Sequence, residues 1–151
     1  MFRNLTLVVL TAAMTLSAAD SFVGTWKLNI AKSKYAPGPA PKSLTATYTQ
    51  DGDWINLKNE GVDAEGKPTS FTLRFKRDGK EYPYTTDTGA QSTIANKLID
   101  ARTTESTQKI GTATFTVRQV LAANGKTFTR TVTGTNAKGQ KVKNVMVFEK
   151  Q

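Results

Sequence analysis

Hydrophobic and polar residues alternate with a period of two along most of the chain. In the segment 43–51, Leu44, Ala46 and Tyr48 alternate with threonines, and a second segment, 69–77, repeats the pattern with larger aromatic residues. Because successive side chains of a strand point to opposite faces, this period predicts strands with one buried and one solvated face. No segment after residue 19 has the sustained three- and four-residue spacing of hydrophobic residues that is typical of an amphipathic helix.

Glycine-containing turns separate the alternating segments. Asp-Gly and Asn-Gly steps at 51–52, 78–79 and 124–125 accept the positive φ angles of tight hairpins, so sequential strands are expected to pair as antiparallel neighbours. The strands are predicted at residues 22–29, 43–51, 53–60, 69–77, 80–85, 92–99, 102–109, 112–121, 126–134 and 141–149.

So long a series of hairpins must protect the two edges of its sheet. Closing the sheet pairs the first strand with the last, whereas a flat open sheet exposes both edges to aggregation. We therefore predict an all-β fold, a single antiparallel up-and-down β-barrel of about 8–10 strands. A two-layer sandwich is the alternative.

The first 19 residues have the pattern of a secretory signal peptide. Arg3 supplies the charge, residues 5–16 form an uncharged core, and the small residues 17–19 offer a cleavage site after Ala19. The core is too short to span a bilayer, so no transmembrane segment is expected in the mature protein. We predict a secreted or periplasmic protein whose residues 20–151 form one domain.

The chain contains no Cys and no His, which narrows the possible chemistry. Thiolate and imidazole ligands are missing, so we expect no metal site and no cofactor of the haem or iron-sulfur kind. Catalytic triads and His-based acid-base catalysis are excluded as well. Asp, Glu, Tyr and Lys remain, but no pair has the spacing of a known active site, and we expect no enzymatic activity.

The chain is strongly basic, with 21 Lys and Arg against 12 Asp and Glu. Such a charge attracts anionic surfaces or polyanions at low salt. The stronger interpretation is solubility, because lysines such as Lys67, Lys80 and Lys126 stand beside turns, where they keep hairpins soluble. No nucleic-acid-binding motif is present.

The first predicted strand carries Gly24-Thr25-Trp26, which resembles the G-x-W signature of the calycin superfamily of lipocalins and fatty-acid-binding proteins. The segments FVGTWKL, residues 22–28, and VFEK, residues 147–150, are similar to the two ends of fatty-acid-binding proteins, and the opening also resembles exported bacterial lipocalin-like domains. The resemblance implies that Trp26 closes one end of the barrel and packs against a basic side chain from a late strand.

Two departures from that family bear on function. The family's last strand commonly carries an Arg-x-Tyr pair that holds a ligand carboxylate, and the matching positions here are Met146 and Phe148. In place of the family's two-helix lid, residues 30–42 contain three prolines, which block helix formation and favour an extended loop. The loop is expected over the barrel mouth, where Tyr35 is either a lid and ligand contact or part of a plain spacer.

Arg130 has the parity of Phe128 and Val132, which places it inside the barrel. A buried guanidinium needs acids, carbonyls or an aromatic face, so Arg130 either clamps Trp26 or anchors an anionic ligand, and the clamp is the safer interpretation. The seventh strand is polar on both faces, so either the interior is wet near Glu105 and Gln108 or this strand separates from its neighbour.

We predict a monomeric carrier that holds a small hydrophobic or amphipathic ligand inside the barrel. The alternative is an interaction module that binds anionic polymers or envelope surfaces through its basic exterior and has a packed interior. The residues expected to contact the ligand are Tyr35, Tyr48, Phe71, Phe75, Tyr82, Tyr84, Arg130, Met146 and Phe148, with Gly24 and Trp26 as the structural plug.

Overall fold

A computed structural model of the protein describes residues 18–151, and this part of the chain consists of ten β-strands with no helix. The expected signal peptide lies, except for Ala18 and Ala19, outside the described residues, so cleavage after Ala19 stays a prediction. No helix between residues 18 and 151 is long and apolar enough to cross a bilayer. The strands are β1 (Gly24–Lys34), β2 (Ser43–Asp51), β3 (Trp54–Val62), β4 (Pro68–Phe75), β5 (Asp78–Thr85), β6 (Gln91–Asp100), β7 (Thr103–Ile110), β8 (Ala113–Leu121), β9 (Thr127–Thr135) and β10 (Lys141–Lys150).

All ten strands belong to one antiparallel sheet whose order is β4-β3-β2-β1-β10-β9-β8-β7-β6-β5. The first strand pairs with the last, with Trp26 opposite Lys150 and Leu28 opposite Phe148. The predicted up-and-down barrel is confirmed, and the sandwich alternative is not found. The strand boundaries predicted from the sequence agree with the structure to within a few residues except at the end of β1.

The barrel is interrupted between β4 and β5, which are consecutive in the chain but form the two ends of the hydrogen-bonded order. The prediction that every hairpin neighbour pairs is wrong here, and closure does not remove all edges. Pro83 lies in β5 and lacks a backbone N–H, a property tolerated in edge strands. Two aromatic contacts bridge the slit, Phe71 with Tyr84 and Trp54 with Tyr82, with ring centroids 6.5 and 5.2 Å apart.

The strand β1 continues to Lys34, five residues beyond its predicted end, and the connecting loop is correspondingly shorter, residues 35–42. A register shift between Asn29 and Lys34 accommodates the extension. Inside the irregular stretch the Asn29 side chain accepts a hydrogen bond from the backbone of Lys32, and the Ser33 hydroxyl donates to the Asn29 carbonyl at 2.6 Å. These local bonds hold a bulge that the alternation pattern does not reveal.

One end of the barrel is closed by a cluster of aromatic rings around Trp26, which is fully buried. Its indole Nε1 donates to the Phe22 carbonyl at 2.8 Å, and its ring contacts Phe128 at a centroid distance of 4.9 Å. The ammonium of Lys150 lies 5.3 Å from the indole centroid. Gly24 adopts φ of 139°, and a Cβ there would lie 3.1 Å from Lys150 Cε, so a glycine suits the position.

The opposite end carries the loop 35–42 and four hairpin turns. Ala36 holds this loop against β10, since its backbone N–H donates to the Asn144 side chain and its carbonyl accepts from the Lys143 N–H at 2.8 Å. At the other end of the loop, the Lys42 N–H donates to the Val62 carbonyl of β3 at 2.9 Å. The loop is thus anchored at both ends across the mouth of the barrel.

Candidate functional site

An internal cavity of about 340 Å³ lies above the closed end. This volume is within the range of about 300–1,000 Å³ that is typical of small-molecule sites. Its wall includes apolar side chains from β2, β3, β4 and β6, among them Leu57, Leu73 and Ile94. Six of the residues expected to contact a ligand also line the cavity: Tyr48, Phe71, Phe75, Tyr84, Arg130 and Met146.

The other three predicted ligand residues lie elsewhere. Phe148 is fully buried in the closed end and stacked on Phe128 at a centroid distance of 4.7 Å, because it pairs with Leu28, two residues after Trp26 on β1. Tyr82 leaves the interior at the slit, where it packs on Trp54 and its hydroxyl donates to Asp78 at 2.7 Å. Phe148 and Tyr82 are not among the described residues that line the cavity. The third, Tyr35, lies at the mouth.

Arg130 is the buried cation of the cavity wall and is 9% exposed. Its Nε donates to Gln119 Oε1 at 2.9 Å, and its Nη2 donates to the Tyr48 hydroxyl at 3.0 Å. The same hydroxyl donates to Gln119 Oε1 at 2.9 Å, so the three side chains form a closed ring of hydrogen bonds. A guanidinium has five N–H donors, so this ring leaves further donors for another acceptor.

The charge of Arg130 is not neutralised by a neighbouring acid. Within the described residues no carboxylate lies within 4.0 Å of its nitrogen atoms. Its aromatic contacts are Phe148 and Phe128, with Cζ at 4.7 and 5.6 Å from the ring centroids. The interpretation of Arg130 as a clamp on Trp26 is therefore wrong: Lys150 takes that place, since it lies directly opposite Trp26.

A second interior arginine, Arg77, is neutralised. Its guanidinium forms a salt bridge with Asp20, with both side chains about one-tenth exposed, and its Nη1 donates to Asn96 Oδ1 at 2.8 Å. Asp20 Oδ1 also accepts from the Phe22 backbone at 2.9 Å. This network joins the N-terminal segment, the β4–β5 turn and β6 at the closed end of the slit. Its charge is balanced internally, in contrast to that of Arg130.

The polar strand β7 is fully paired on both sides, with β6 and with β8. The interpretation that it separates from its neighbour is wrong. Ser106 and Gln108 line the cavity, whereas Glu105 points outward and forms ion pairs with Lys97 and Arg118. The polar inner face of β7 thus gives the cavity a hydrophilic wall, although Glu105 is not part of it.

Three buried amide side chains of the cavity wall were missed as site candidates: Asn59, Asn96 and Gln119. Each is buried, between 4 and 6% exposed. Asn59 follows Ile55 and Leu57 at the same parity, so the alternation that predicts the strand also places this amide inside. Its Oδ1 has no hydrogen-bond partner among the described residues. A polar residue in an inward register was therefore the signal that could have found all three.

Tyr35 lies at the start of the loop across the mouth and packs against the core cluster. Its hydroxyl oxygen is buried and has no hydrogen-bond partner between residues 18 and 151. Burial raises the pKa of Tyr35 to about 12, and the positive charge of Arg130 partly opposes this rise. Tyr35 itself is not one of the described residues that line the cavity.

The part of the chain that the structure describes holds no cluster of three or more metal-ligating side chains. The charged residues of the cavity wall are Arg77, Arg130 and Asp87, and Asp87 is exposed at the mouth. The arrangement offers an apolar space, hydrogen-bonding amides and one uncompensated cation. These are groups that can bind the apolar and polar parts of an amphipathic molecule.

Solved structures with the same architecture include several ligand-binding barrels. The Schistosoma mansoni fatty acid binding protein, in complex with arachidonic acid, is 20% identical with a TM-score of 0.63 over 87% of this chain and 96% of that one. The chain shares the barrel fold of that protein. The zebrafish ileal bile acid-binding protein, complexed with cholic acid, is 17% identical with a TM-score of 0.60 over 87% of this chain and 99% of its own.

A third structure of this architecture, the extracellular fatty acid binding protein As-p18, is 18% identical with a TM-score of 0.57 over 89% of this chain and 99% of that one. No protein-family model matches the sequence, and neither does any curated protein. At these identities the likeness establishes the barrel fold alone, and the ligand must be inferred from the residues of this chain.

Proposed function

We propose that the protein is an exported carrier that binds one small amphipathic ligand, with an apolar body and an anionic group, inside the barrel. The observation that carries the proposal is Arg130, a buried cation in the wall of an apolar cavity without a carboxylate partner. Burying an unpaired charge is costly, and a ligand anion would supply the missing partner. The fatty-acid and bile-acid complexes of the structural neighbours support the same class of ligand.

The geometry around Arg130 supports a position for the ligand anion beside its guanidinium. Gln119 and Tyr48 fix the guanidinium from one side, and Phe148 supports it from the closed end. Preorganised donors of this kind bind a charged group without paying for their own reorganisation. The apolar body of the ligand would fill the space between Leu57, Leu73 and Ile94.

Two measurements test this function. Native mass spectrometry of protein purified from its own export compartment should detect one adduct of lipid size per chain. Isothermal titration of delipidated protein with hexadecanoate should give one site per chain, and the hexadecanoate methyl ester should bind more weakly because it carries no charge. Absence of an adduct, together with equal or undetectable binding of both compounds, would overturn the proposal. The carrier is proposed to act as a monomer without catalysis.

A second candidate function is docking on anionic surfaces. It is favoured by the indole of Trp54 on the outside of the barrel, with the guanidinium of Arg74 and the ammonium of Lys76 at 4.8 and 4.9 Å from its centroid. Phosphatidylglycerol vesicles should then retain the protein at low salt and release it at high salt. A Trp54→Ala variant should be retained less. Equal retention of the wild-type protein and Trp54→Ala would contradict this function.

A further inference from the structure

Asn59 presents a buried hydrogen-bond acceptor that nothing in the described chain uses. The residue is 4% exposed, lines the cavity, and its Oδ1 has no partner. A buried polar atom without a partner costs free energy, and an apolar residue of similar shape would avoid that cost. Apolar residues do occupy the preceding inward positions of β3, Ile55 and Leu57, so an apolar side chain would be compatible with this strand.

The position of Asn59 relative to Arg130 restricts what could use this acceptor. Asn59 is on β3 and Arg130 on β9, and three strands, β2, β1 and β10, lie between them on the shorter way around the barrel. Neighbouring strands are about 4.8 Å apart, so the two side chains belong to different walls of the cavity. A donor that reaches Asn59 must be separated from the group held at Arg130 by a considerable part of the ligand.

From this arrangement we infer that the cavity binds a hydroxylated amphipathic acid, whose anionic group lies at Arg130 and whose distal hydroxyl donates to Asn59 Oδ1. The inference rests on the proposed function and adds a second polar subsite to it. A hydroxyl suits the subsite because it donates one hydrogen bond and is neutral, whereas an amine would bring a second positive charge next to a basic interior. The remaining cavity polarity, at Ser106 and Gln108 on β7, accommodates such a ligand better than a plain hydrocarbon chain.

The test compares matched ligands on delipidated full-length mature protein by isothermal titration. The ligands are hexadecanoate and its 2-, 12- and 16-hydroxy derivatives. At least one of the two distal isomers should bind about 3- to 10-fold more tightly than hexadecanoate, the effect of one additional hydrogen bond. The 2-hydroxy isomer should show no such gain, because its hydroxyl lies beside the carboxylate.

Variants then assign the gain to Asn59. Asn59→Leu should abolish or reverse the preference for the distal isomer relative to hexadecanoate, and it should raise the melting temperature because the unpartnered amide is gone. Thr104→Val is the matched control, since Thr104 is 1% exposed with an unpartnered Oγ1 but does not line the cavity. It should leave the ligand preference unchanged.

The failures of the two proposals are distinguishable. If wild-type protein binds hexadecanoate but none of the distal isomers more tightly, or if Asn59→Leu retains the preference, the hydroxyl subsite is overturned and the carrier function stands. If none of the acids binds, the carrier function itself fails, and the hydroxyl subsite fails with it.

Discussion

The guanidinium of Arg130 stacks on the ring of Phe148, with its Cζ 4.7 Å from the ring centroid. Phe148 in turn stacks on Phe128, which contacts Trp26, so the cation of the cavity rests on the aromatic cluster that closes the barrel. This places the anchor on the most completely buried part of the protein. Rigid support of this kind fixes the direction of the N–H donors before a ligand arrives.

Arg130→Met should selectively weaken the binding of anionic ligands. The substitution removes the charge-assisted hydrogen bonds to the ligand, each contributing about 1.5–3 kcal/mol, so hexadecanoate affinity should fall by at least about 10-fold. A neutral analogue such as the methyl ester should lose little. Titration calorimetry of both ligands measures the difference.

Arg118→Met is the control for that variant. Arg118 lies on the adjacent strand β8, points outward, and makes only a 3.4 Å contact with Glu105 at an exposed site. Its replacement lowers the net charge by the same amount but should not alter ligand affinity. If both variants lose hexadecanoate binding equally, overall charge rather than an internal anchor governs binding.

Arg77→Met should destabilise the fold considerably. The salt bridge with Asp20 is almost completely buried, and removal of one partner leaves an uncompensated charge at a cost of about 3–5 kcal/mol. Urea unfolding followed by circular dichroism measures the loss. The exposed pair of Lys32 and Glu149 provides the comparison, because Lys32→Met should cost less than about 1 kcal/mol. Similar losses for the two variants would contradict the structural role of Asp20 and Arg77.

Trp26→Phe should test the closed end of the barrel. The variant loses the 2.8 Å bond to the Phe22 carbonyl and part of the buried ring, with an expected loss of about 1–3 kcal/mol in the free energy of unfolding. Trp26→Ala should cost about 3–5 kcal/mol, as large-to-small core substitutions do. Trp54→Phe, on the outer side of the slit, should have a much smaller effect. Thermal unfolding of the three variants measures their relative stability. A Trp26→Ala variant as stable as the wild-type protein would contradict the role of Trp26 in closing the barrel.

The raised pKa of Tyr35 predicts a loss of stability at high pH. Below pH 10 the phenol is protonated in both the folded and the unfolded chain. Between pH 10 and about 12 the unfolded chain releases this proton first, so folding stability falls as the pH rises. In Tyr35→Phe this contribution is absent, and the decrease in urea midpoint over that range should be shallower. An unchanged pH profile would show that Tyr35 is solvated.

The alternation of side chains was sufficient to predict the ten strands and the inward positions of Tyr48, Phe75 and Arg130. Parity specifies faces because a strand has a fixed period of two, and an internal cavity depends on which face points inward. The pairing of β1 with β10 followed from the need to protect edges. These are local or general properties, so a single sequence reveals them.

Other features depend on relations between distant residues. The slit between β4 and β5 is held by Arg77, Asp20 and Asn96, which come from three separate segments. Tyr82 has an inward parity but leaves the interior at that slit, because β5 is paired on one side only, with β6. Whether a buried amide such as that of Asn59 finds a partner is likewise decided by three-dimensional packing rather than by position along a strand.

The most direct test of the account is the NMR signal of hexadecanoate labelled with ¹³C at its carboxyl carbon and bound to the delipidated protein. The account predicts a single bound carboxylate resonance at one equivalent, which stays ionised well below the pH at which free hexadecanoate becomes protonated, because Arg130 favours the charged form. In Arg130→Met the resonance should titrate at higher pH or disappear. A bound resonance that titrates like the free acid and is unchanged in Arg130→Met would contradict the internal anchor.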